Sequence, residues 1–339
     1  MKNLPLGKLN PKLLAKLLKQ YTGVRDPRLV IGPTVGEDAA VIDMGDRYLV
    51  AKSDPITYAT EMIGWYAVHM NANDVATLGA EPKWFLATLL LPEKKTDEEL
   101  VTAIFADMSR AAEQLGVALC GGHTEVTPGL DRPIVVGHML GEVARDKLVL
   151  KTNARAGDRI ILTKGIAIEG TALIARERSG ELRAHFGEGF VKRAQEFLVD
   201  PGISVVKEAL KAARAAKVHA MHDLTEGGLA TGIQEMAEIA SLGAEIDKQR
   251  IPIFSETQEL CSYYGLDPLG IIASGALLIA VAPEECEKVL SALRAQGIQA
   301  ADIGCLAEKT KGLKLIEDGQ LKAFPTFEVD EVTRILSRN

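Results

Sequence analysis

The chain has 339 residues, a net charge of −7, 47% hydrophobic residues and only 5% aromatic residues. This composition is typical of a globular protein with an aliphatic core and excludes disordered and fibrous classes. A chain longer than roughly 250–300 residues usually divides into domains, so we predict two. The negative charge, without a dense Lys/Arg block, argues against nucleic-acid binding. It still permits a nucleotide that is held through divalent metal ions.

The cysteines and apolar segments indicate a reduced protein outside the membrane. Cys120, Cys261, Cys286 and Cys305 form no C-x-x-C pair. This spacing signals neither a zinc site nor a disulfide framework, and we interpret the four as reduced core residues. No apolar signal core precedes the first predicted helix, and the longest uncharged stretch, 268–283, is shorter than the ~20 residues of a membrane span. We therefore expect a cytoplasmic protein.

Helix and strand patterns alternate through the first half of the chain. Asn10 and Pro11 are typical of a helix start, and Gly79 is typical of a helix end. In chain order we predict a short amphipathic helix after Pro11, a hairpin with strands at 39–42 and 48–51, a helix at 60–78, a strand at 82–91, a helix at 96–116 opened by a Thr96/Glu99 capping box, and strands at 117–120 and 134–141.

The second half mixes helices and strands in the same way. The stretch 145–155 is punctuated by Lys and Arg, and we place the domain boundary there, giving domains 1–150 and 151–339. The pattern then predicts a strand at 160–163, helices at about 168–178, 187–198, 203–216, 226–240 and 284–296, and strands near 219, at 276–281 and at 313–316. This mixture predicts an α+β fold.

Three acidic positions in the first half could hold a cation. Glu37 and Asp38 follow Gly36 directly before an apolar strand, where adjacent acids repel one another and a cation would compensate them. Asp54 lies at the end of the next strand. Asp74 lies in an otherwise apolar helix, where a buried carboxylate needs a partner or a metal. From the pattern alone, a solvated turn at Asp38 and an exposed helix face at Asp74 stay open as alternatives.

Two glycine pairs could approach a ligand closely. The first, in Gly121-Gly122-His123-Thr124, follows a short strand and permits close approach of the backbone. The second, in Thr225-Glu226-Gly227-Gly228, opens a helix and leaves backbone N–H groups for an anion. A helix start capped by Thr225, and a solvent-facing His123 on a loop, are the alternatives. Together, the acids and the first glycine pair predict a magnesium–phosphate site.

The order of these motifs resembles that of the aminoimidazole ribonucleotide (AIR) synthase superfamily. The matching runs are G-E-D-A-A-V-I at 36–42, S-D-P-I-T at 53–57, N-A-N-D-V-A-T-L-G-A-E-P at 71–82 and G-G-H-T-E at 121–125. In the second half, A-M-H-D-L-T-E-G-G-L-A at 220–230 and G-L-D-P-L at 265–269 resemble the hydrogenase-maturation proteins HypE of that superfamily. The resemblance covers nearly the whole chain.

Three departures limit what the resemblance implies. His123 stands where the superfamily has an acid, so one expected carboxylate is missing, and Glu125 is a possible substitute. Glu226 stands where HypE has an arginine, and an acid there is similar to thiamine-monophosphate kinases, another branch. The chain ends in L-S-R-N, without the terminal cysteine that accepts a carbamoyl group in HypE, and Cys305 is better explained as a buried inert thiol.

The resemblance implies a PurM-like two-domain α+β architecture. In it, the N-terminal sheets of two subunits form a dimeric barrel, and the C-terminal α+β domain closes over the nucleotide. It also implies a homodimer, ATP and Mg²⁺ as cofactors, and phosphoryl transfer to an oxygen nucleophile. The implied metal ligands are Asp38, Asp54 and Asp74, the cofactor-binding residues are Gly36, Asn73, Gly121, Gly122, His123, Thr124, Thr225, Gly227 and Gly228, and the catalytic residues are Asp223 and Glu226.

Two classes of function stay open. The first is an ATP- and magnesium-dependent enzyme, either a HypE-like dehydratase of a small or carrier-bound acceptor in hydrogenase or metal-centre maturation, or a kinase similar to thiamine-monophosphate kinases. The second is a nucleotide-binding maturation partner without turnover, which His123 and the missing cysteine favour. We also expect the site to have too few Lys and Arg side chains to neutralise a triphosphate.

Overall fold

The computed structural model describes residue 4 and residues 9–21, 23–34, 36–57, 59 and 61–336. Within these residues the chain forms two mixed α+β layers, each a sheet with helices packed on it, which confirms the predicted fold class. The predicted helix start at residue 60 and the chain end at 337–339 lie outside the described residues. No helix among the described residues is both long and apolar enough to cross a bilayer.

The N-terminal sheet has six strands in the order β1-β2-β3-β6-β4-β5. Its β4–β5 pair is parallel and the other pairs are antiparallel. The strands are β1 Leu29–Ile31, β2 Ala40–Asp43, β3 Arg47–Ile56, β4 Glu81–Pro92, β5 Ala118–Thr127 and β6 Ile134–Ala144, and the helices are α1 Pro11–Tyr21, α2 Ile63–Thr77 and α3 Glu98–Leu115.

Helix α2 packs on one face of this sheet and is buried at every position except Met70. It lies close to β6 because β6 carries glycine beneath it. A Cβ added at Gly137 or Gly141 would overlap the α2 side chains of Asn71 and Val75. Two glycines in one strand thus set the distance between helix and sheet.

Most predicted elements of the first half are confirmed, with two corrections. The first helix begins as expected, since the Asn10 carboxamide accepts a hydrogen bond from Lys12 N at 3.0 Å. The capping box is wrong, because Asp97 caps α3 by accepting from Leu100 N at 2.8 Å, while Thr96 Oγ1 donates to Pro92 O. The strand predicted at 117–120 extends through the glycine pair to Thr127.

The C-terminal sheet has seven strands in the order β13-β12-β9-β11-β7-β10-β8. Its strands are β7 Arg159–Thr163, β8 Val218–Asp223, β9 Gly243–Asp247, β10 Leu277–Val281, β11 Ala300–Ala307, β12 Leu313–Glu317 and β13 Gln320–Ala323. The helices are α4 Ile168–Glu177, α5 Ser179–Phe186, α6 Glu188–Glu196, α7 Val206–Ala215, α8 Gly228–Ala240, α9 Ser255–Tyr264, α10 Pro283–Arg294 and α11 Thr333–Leu336.

The five helices predicted in this half are present, but three others, α5, α9 and α11, and several strands were not predicted. Helix α9 has little apolar periodicity, and β13 is exposed at all four positions. Helix α9 buries only Thr257, Leu260 and Cys261, and β13 buries none of its residues, so neither has the repeated apolar spacing that predicts an element. Packing against a hydrophobic cluster stabilises α9, and pairing with β12 stabilises β13.

The two layers share one hydrophobic core. Residues of α2 and of α7 belong to the same buried cluster. Polar contacts join them as well. The Trp65 indole N–H donates to Leu198 O at 3.2 Å, and the Asn73 amide donates to Ile203 O at 2.9 Å and accepts from Val205 N at 2.8 Å. Helix α2 is therefore held by both halves of the chain.

The interpretation of the four cysteines as core residues needs correction. All four are free thiols, but Cys120 is exposed on β5 and Cys305 is only half-buried on β11. Cys261 and Cys286 are buried as expected, and burial raises the pKa of the Cys261 thiol to about 12. A thiol with a pKa this high is unreactive at neutral pH.

Candidate functional site

Three ligand-type side chains converge where β8 ends. His222 and Asp223 are the last two residues of β8, which is an edge strand, and Asp38 lies in the turn that precedes β2. One nitrogen or oxygen atom from each side chain lies within 4.8 Å of the others. Gly36 helps to place this turn, since an added Cβ there would lie 3.2 Å from Ile239 of α8. Residues 184 positions apart thus form one cluster.

Two lysines lie among the acids. Lys151 is buried, and its Nζ lies 2.8 Å from Asp38 Oδ1 and 2.7 Å from Asp38 Oδ2. Lys52 on β3 lies 3.1 Å from Asp74 and 3.8 Å from Asp54. The site thus holds two cationic side chains, each paired with an aspartate, and the expectation that they are too few to neutralise a triphosphate stays a prediction. Sequence reasoning missed both lysines. Lys151 is 113 positions from Asp38, and Lys52, although it is two residues before Asp54, was given no role.

The charges of this cluster shift the pKa values of its carboxyls in opposite directions. Burial works against ionisation of Asp38, but the pKa of its carboxyl is lowered because the charge and hydrogen bond of Lys151, together with the charges of His222 and Lys52, outweigh burial. Burial raises the pKa of Asp74 well above its usual range, and the neighbouring charges of Asp223 and Asp38 add to this. Burial and Asp38 likewise raise the pKa of Asp223. Four acids share two lysines here, so an additional cation would stabilise the ionised cluster.

The structure brings the three predicted metal ligands to one region. Asp38 is next to Asp223, and Asp74 and Asp54 are joined through Lys52. Asp74 is buried, so the alternative of an exposed helix face is wrong for it. The prediction that Asn73 binds the cofactor is also corrected, because Asn73 is fully buried and its amide is used by the backbone of residues 203 and 205.

The first glycine pair lies apart from the acids within one chain. Gly121, Gly122, His123 and Thr124 are exposed residues of edge strand β5, so the expectation of a loop is wrong. Gly122 is required by strand pairing, since an added Cβ would overlap the backbone of Ala87 on β4. His123 lies 3.1 Å from Glu125 and is 63% exposed at its side chain.

The second glycine pair starts α8 but does not present free N–H groups. Gly227 N donates to Asp330 Oδ2 at 2.7 Å, and Gly228 N donates to Thr225 O at 3.1 Å. The anion site predicted at this helix start is therefore corrected: a carboxylate from the C-terminal segment occupies it. The alternative of a Thr225 cap is wrong too, because Gly227 is the N-cap residue and no side chain caps it. Glu226 is exposed beside it.

Sequence reasoning missed two further buried residues, His222 and Glu169. His222 lies in the motif at 220–230, directly before Asp223, but the motif predicted no role for it. Glu169 lies in the first turn of α4, is 9% exposed and has an oxygen, Oε2, with no hydrogen-bond partner among the described residues. Burial, and then the charges of Glu226 and Asp330, raise its pKa to about 7. The sequence shows only a single acid in an apolar helix, and this pattern does not predict that the acid is buried or that its pKa is raised.

Comparison with known proteins identifies the family. Residues 36–143 match the model of the AIR synthase related protein N-terminal domain, and residues 155–314 match that of the C-terminal domain. The chain therefore belongs to the AIR synthase related family, and the resemblance predicted from the motifs is confirmed. Among its relatives are carbamoyl dehydratases HypE.

Two relatives and two solved structures show how far this similarity extends. The chain is 29% identical over 316 residues to a Methanocaldococcus jannaschii protein named for hydrogenase expression or formation, covering 91% of this chain and 90% of the relative. It is 30% identical over 304 residues to the carbamoyl dehydratase HypE of Azotobacter vinelandii, covering 88% and 84%. A HypE structure in complex with ATP has a TM-score of 0.73 at 24% identity, covering 96% and 97%. A ThiL structure complexed with AMPPCP and TMP has a TM-score of 0.72 at 21% identity, covering 94% and 98%.

Proposed function

We propose that the protein is an ATP-dependent enzyme of the HypE type, a dehydratase that acts in the maturation of a hydrogenase or another metal centre. The observation that carries this proposal is the buried cluster of Asp38, Asp74 and Asp223 with Lys151 and Lys52. It lies where both halves of the chain meet, in a chain whose relatives include carbamoyl dehydratases over most of their length.

The residues of the cluster fit a divalent ion and a nucleotide. Asp38, Asp223 and Asp74 offer hard oxygen ligands, and the raised pKa values of Asp74 and Asp223 report that their ionised forms lack sufficient positive charge. When bound, Mg²⁺ would supply the positive charge that neutralises ATP phosphates. Lys52 and Lys151 would donate hydrogen bonds to phosphate oxygens and hold them in place. Exposed Glu226, beside the α8 start, would face the acceptor.

Assembly into a homodimer through the N-terminal sheet is part of this proposal. Every residue from Ala118 to Val126 on edge strand β5 is exposed, including Leu119 at 45% and Val126 at 54%. On β4 the side chain of Trp84 is also exposed, and Leu86 and Leu90 are only half-buried. A long unpaired edge beside an apolar sheet face is unusual for a monomer. A second copy of the chain would cover it, and would bring a second β5 with its glycine pair to the assembly.

Binding of ATP with and without Mg²⁺ tests the nucleotide site. Asp38→Asn is expected to weaken Mg–ATP binding by at least about tenfold, because it removes a charged ligand from the cluster. Asp131→Asn is the matched control, since the Asp131 carboxylate pairs with its neighbour Arg132 and is 75% exposed at its side chain. Calorimetric titration measures both. Equal affinity of Asp38→Asn and the wild type would remove Asp38 from the site.

A kinase similar to ThiL is the second candidate, and one residue favours it. Glu226 is an acid where HypE has an arginine, and the fold is shared with ThiL. ADP release measured with a carbamoylated peptide thiol and with thiamine monophosphate separates the two enzymes. ATP binding without ADP release for any acceptor would instead indicate a nucleotide-binding maturation partner.

A further inference from the structure

We propose that His222 is a metal ligand, and that Asp38, His222 and Asp223 form a site that prefers a divalent transition-metal ion such as Zn²⁺, Mn²⁺ or Co²⁺ to Mg²⁺. The inference rests on the proposed function only in placing a metal ion beside the nucleotide. It does not require turnover, because a metal ion alone can be tested on the protein. Three side chains of the described residues offer ligand atoms within 4.8 Å of one another at this place.

The hydrogen bonding of His222 leaves one ring nitrogen for a metal. His222 is 6% exposed, and its Nε2 lies 2.9 Å from Glu235 Oε2 on α8. Glu235 is a carboxylate, so Nε2 carries the proton and donates it. In the neutral imidazole Nδ1 is then the lone-pair acceptor, and it has no hydrogen-bond partner among the described residues. A buried nitrogen without a partner is costly, and a metal ion would satisfy it.

This arrangement is the one that metal-binding histidines usually show. In most such sites the second ring nitrogen donates to a carboxylate, which fixes the tautomer and orients the ring. Glu235 provides that carboxylate here. Gly232 lies one turn before Glu235 on α8, and a Cβ added there would contact the same edge of the ring, at Cδ2. Helix α8 therefore occupies the Nε2 side of the ring and leaves the Nδ1 side for another partner.

The position of β8 explains how two consecutive residues can reach one ion. Neighbouring side chains on a strand point to opposite faces of its sheet. His222 and Asp223 end β8, which is the last strand of the seven-stranded sheet. A group beyond the edge of a sheet can be reached from both faces, and Asp38 comes from the other half of the chain to this edge. The ligand atoms of the three side chains therefore converge to within 4.8 Å of one another at the end of β8.

Lys151 does not fill the ligand positions of Asp38. Its ammonium group contacts both oxygens of that carboxylate. An ionised carboxylate has about four lone-pair positions, so each oxygen can accept from Lys151 and still bind a metal ion. The lysine removes charge from the cluster without removing its ligands.

The ligand set decides which ion is preferred. Mg²⁺ selects oxygen ligands and retains water, whereas imidazole nitrogen favours ions such as Zn²⁺, Co²⁺ and Mn²⁺ in the order of their affinity for nitrogen. An all-carboxylate cluster would select Mg²⁺. A nitrogen ligand from His222 beside the carboxylates of Asp38 and Asp223 shifts the preference toward transition metals.

His219 provides a matched control within the same strand. It lies at the other end of β8, is 7% exposed and has its own carboxylate partner, since Nδ1 lies 2.9 Å from Asp158. No metal-type cluster of the described residues includes it. The substitutions His219→Gln and His222→Gln therefore make similar changes in burial and hydrogen bonding, but only the second removes a proposed ligand.

The test is binding of Mn²⁺, Zn²⁺ and Mg²⁺ alone to the full chain without nucleotide. Calorimetry should give one transition-metal ion per chain with higher affinity than Mg²⁺, and electron paramagnetic resonance of bound Mn²⁺ should show coupling to a histidine nitrogen. His222→Gln should abolish the coupling and weaken Zn²⁺ binding by about 10–100-fold or more. His219→Gln should preserve both, and Glu235→Gln should retain the coupling with weaker affinity.

Two results would overturn the inference. One is the absence of nitrogen coupling to Mn²⁺ in the wild type. The other is equal Zn²⁺ affinity of the wild type and His222→Gln. Circular dichroism of each variant shows whether it is folded, and the nitrogen signal of the wild type does not depend on any variant. Mg–ATP binding is measured on the same samples, so ATP binding with a failed nitrogen test rejects only the role of His222. Metal binding through His222 without ATP binding would reject only the proposed function.

Discussion

The two sheets of this protein differ in how completely one chain covers them. In the C-terminal sheet, β8 and β10 are buried at every position. In the N-terminal sheet, edge strand β5 is exposed at nearly every position, and β4 alternates between buried and half-exposed residues. Helices cover both faces of the C-terminal sheet at β8 and β10, but only one face of the N-terminal sheet at β4 and β5. A sheet that a chain leaves open is where a second molecule can bind, whereas a closed sheet contributes stability.

The largest expected effect tests the closed sheet. Ile279→Ala in the centre of β10 removes a fully buried side chain and should lower the free energy of unfolding by about 2–5 kcal/mol. Leu86→Ala on the open face of β4, which is only half-buried, should cost less than half of that. Urea denaturation measures both. Equal losses would show that the two faces are equally covered.

The next effect concerns Glu169, a buried acid for which the described residues provide no ion pair, whereas Asp38 is paired with Lys151. Glu169 has a pKa raised to about 7 from an ordinary value of 4.5, so the folded protein holds a proton that the unfolded chain releases. Stability is therefore lost as the pH rises from 4.5 to 7 and is constant above. The wild type should lose on the order of 2–3 kcal/mol of unfolding free energy by pH 8, and Glu169→Gln should not show this loss because glutamine does not ionise.

The control for this prediction lies on the same helix. Glu177 is exposed on α4, so Glu177→Gln should leave the pH dependence as it is in the wild type. Unfolding free energies are compared between pH 4.5 and pH 8. A constant difference between Glu169→Gln and the wild type over this range would mean that Glu169 is not protonated in the folded protein.

A smaller effect tests the open edge. Val126→Lys on β5 should weaken dimerisation by at least about tenfold, or ~1.4 kcal/mol, because a charge would be buried against the second copy. Phe105→Lys is the control, since Phe105 is 47% exposed on α3, outside the sheet. Sedimentation equilibrium measures the association. A wild-type monomer at micromolar concentration, or equal loss in both variants, would contradict the proposed interface.

The smallest effect concerns β5, the strand that contains Gly121 and Gly122. His123→Asp introduces the acid that the resemblance to the superfamily implies at this position, and should tighten Mg–ATP binding severalfold if a second copy brings β5 to the acidic cluster. The gain is small because this side chain is mostly exposed and pairs with Glu125. Calorimetry of His123→Asp and His123→Ala decides the point. Unchanged affinity in both would place the strand outside the nucleotide site.

The sequence by itself determined most of the helices, the α+β class and the family. These follow from local patterns: apolar periodicity for α2, a cap at Asn10 for α1, and motif order for the superfamily. It also determined that Asp38, Asp54 and Asp74 belong together, because the order of motifs in relatives carries that information. The sequence did not predict elements with few or no buried residues, such as α9 and β13.

Only the tertiary structure decided which partner each of these side chains has. Lys151 lies against Asp38 although 113 positions separate them, and Asp330 occupies the α8 start that local pattern left open to an anion. His222 is a candidate metal ligand because it lies beside Asp38 and Glu235, and no local pattern connects these residues to it. The physical reason is that burial and charge depend on distances across the fold, whereas periodicity reports only which side of one element faces the core.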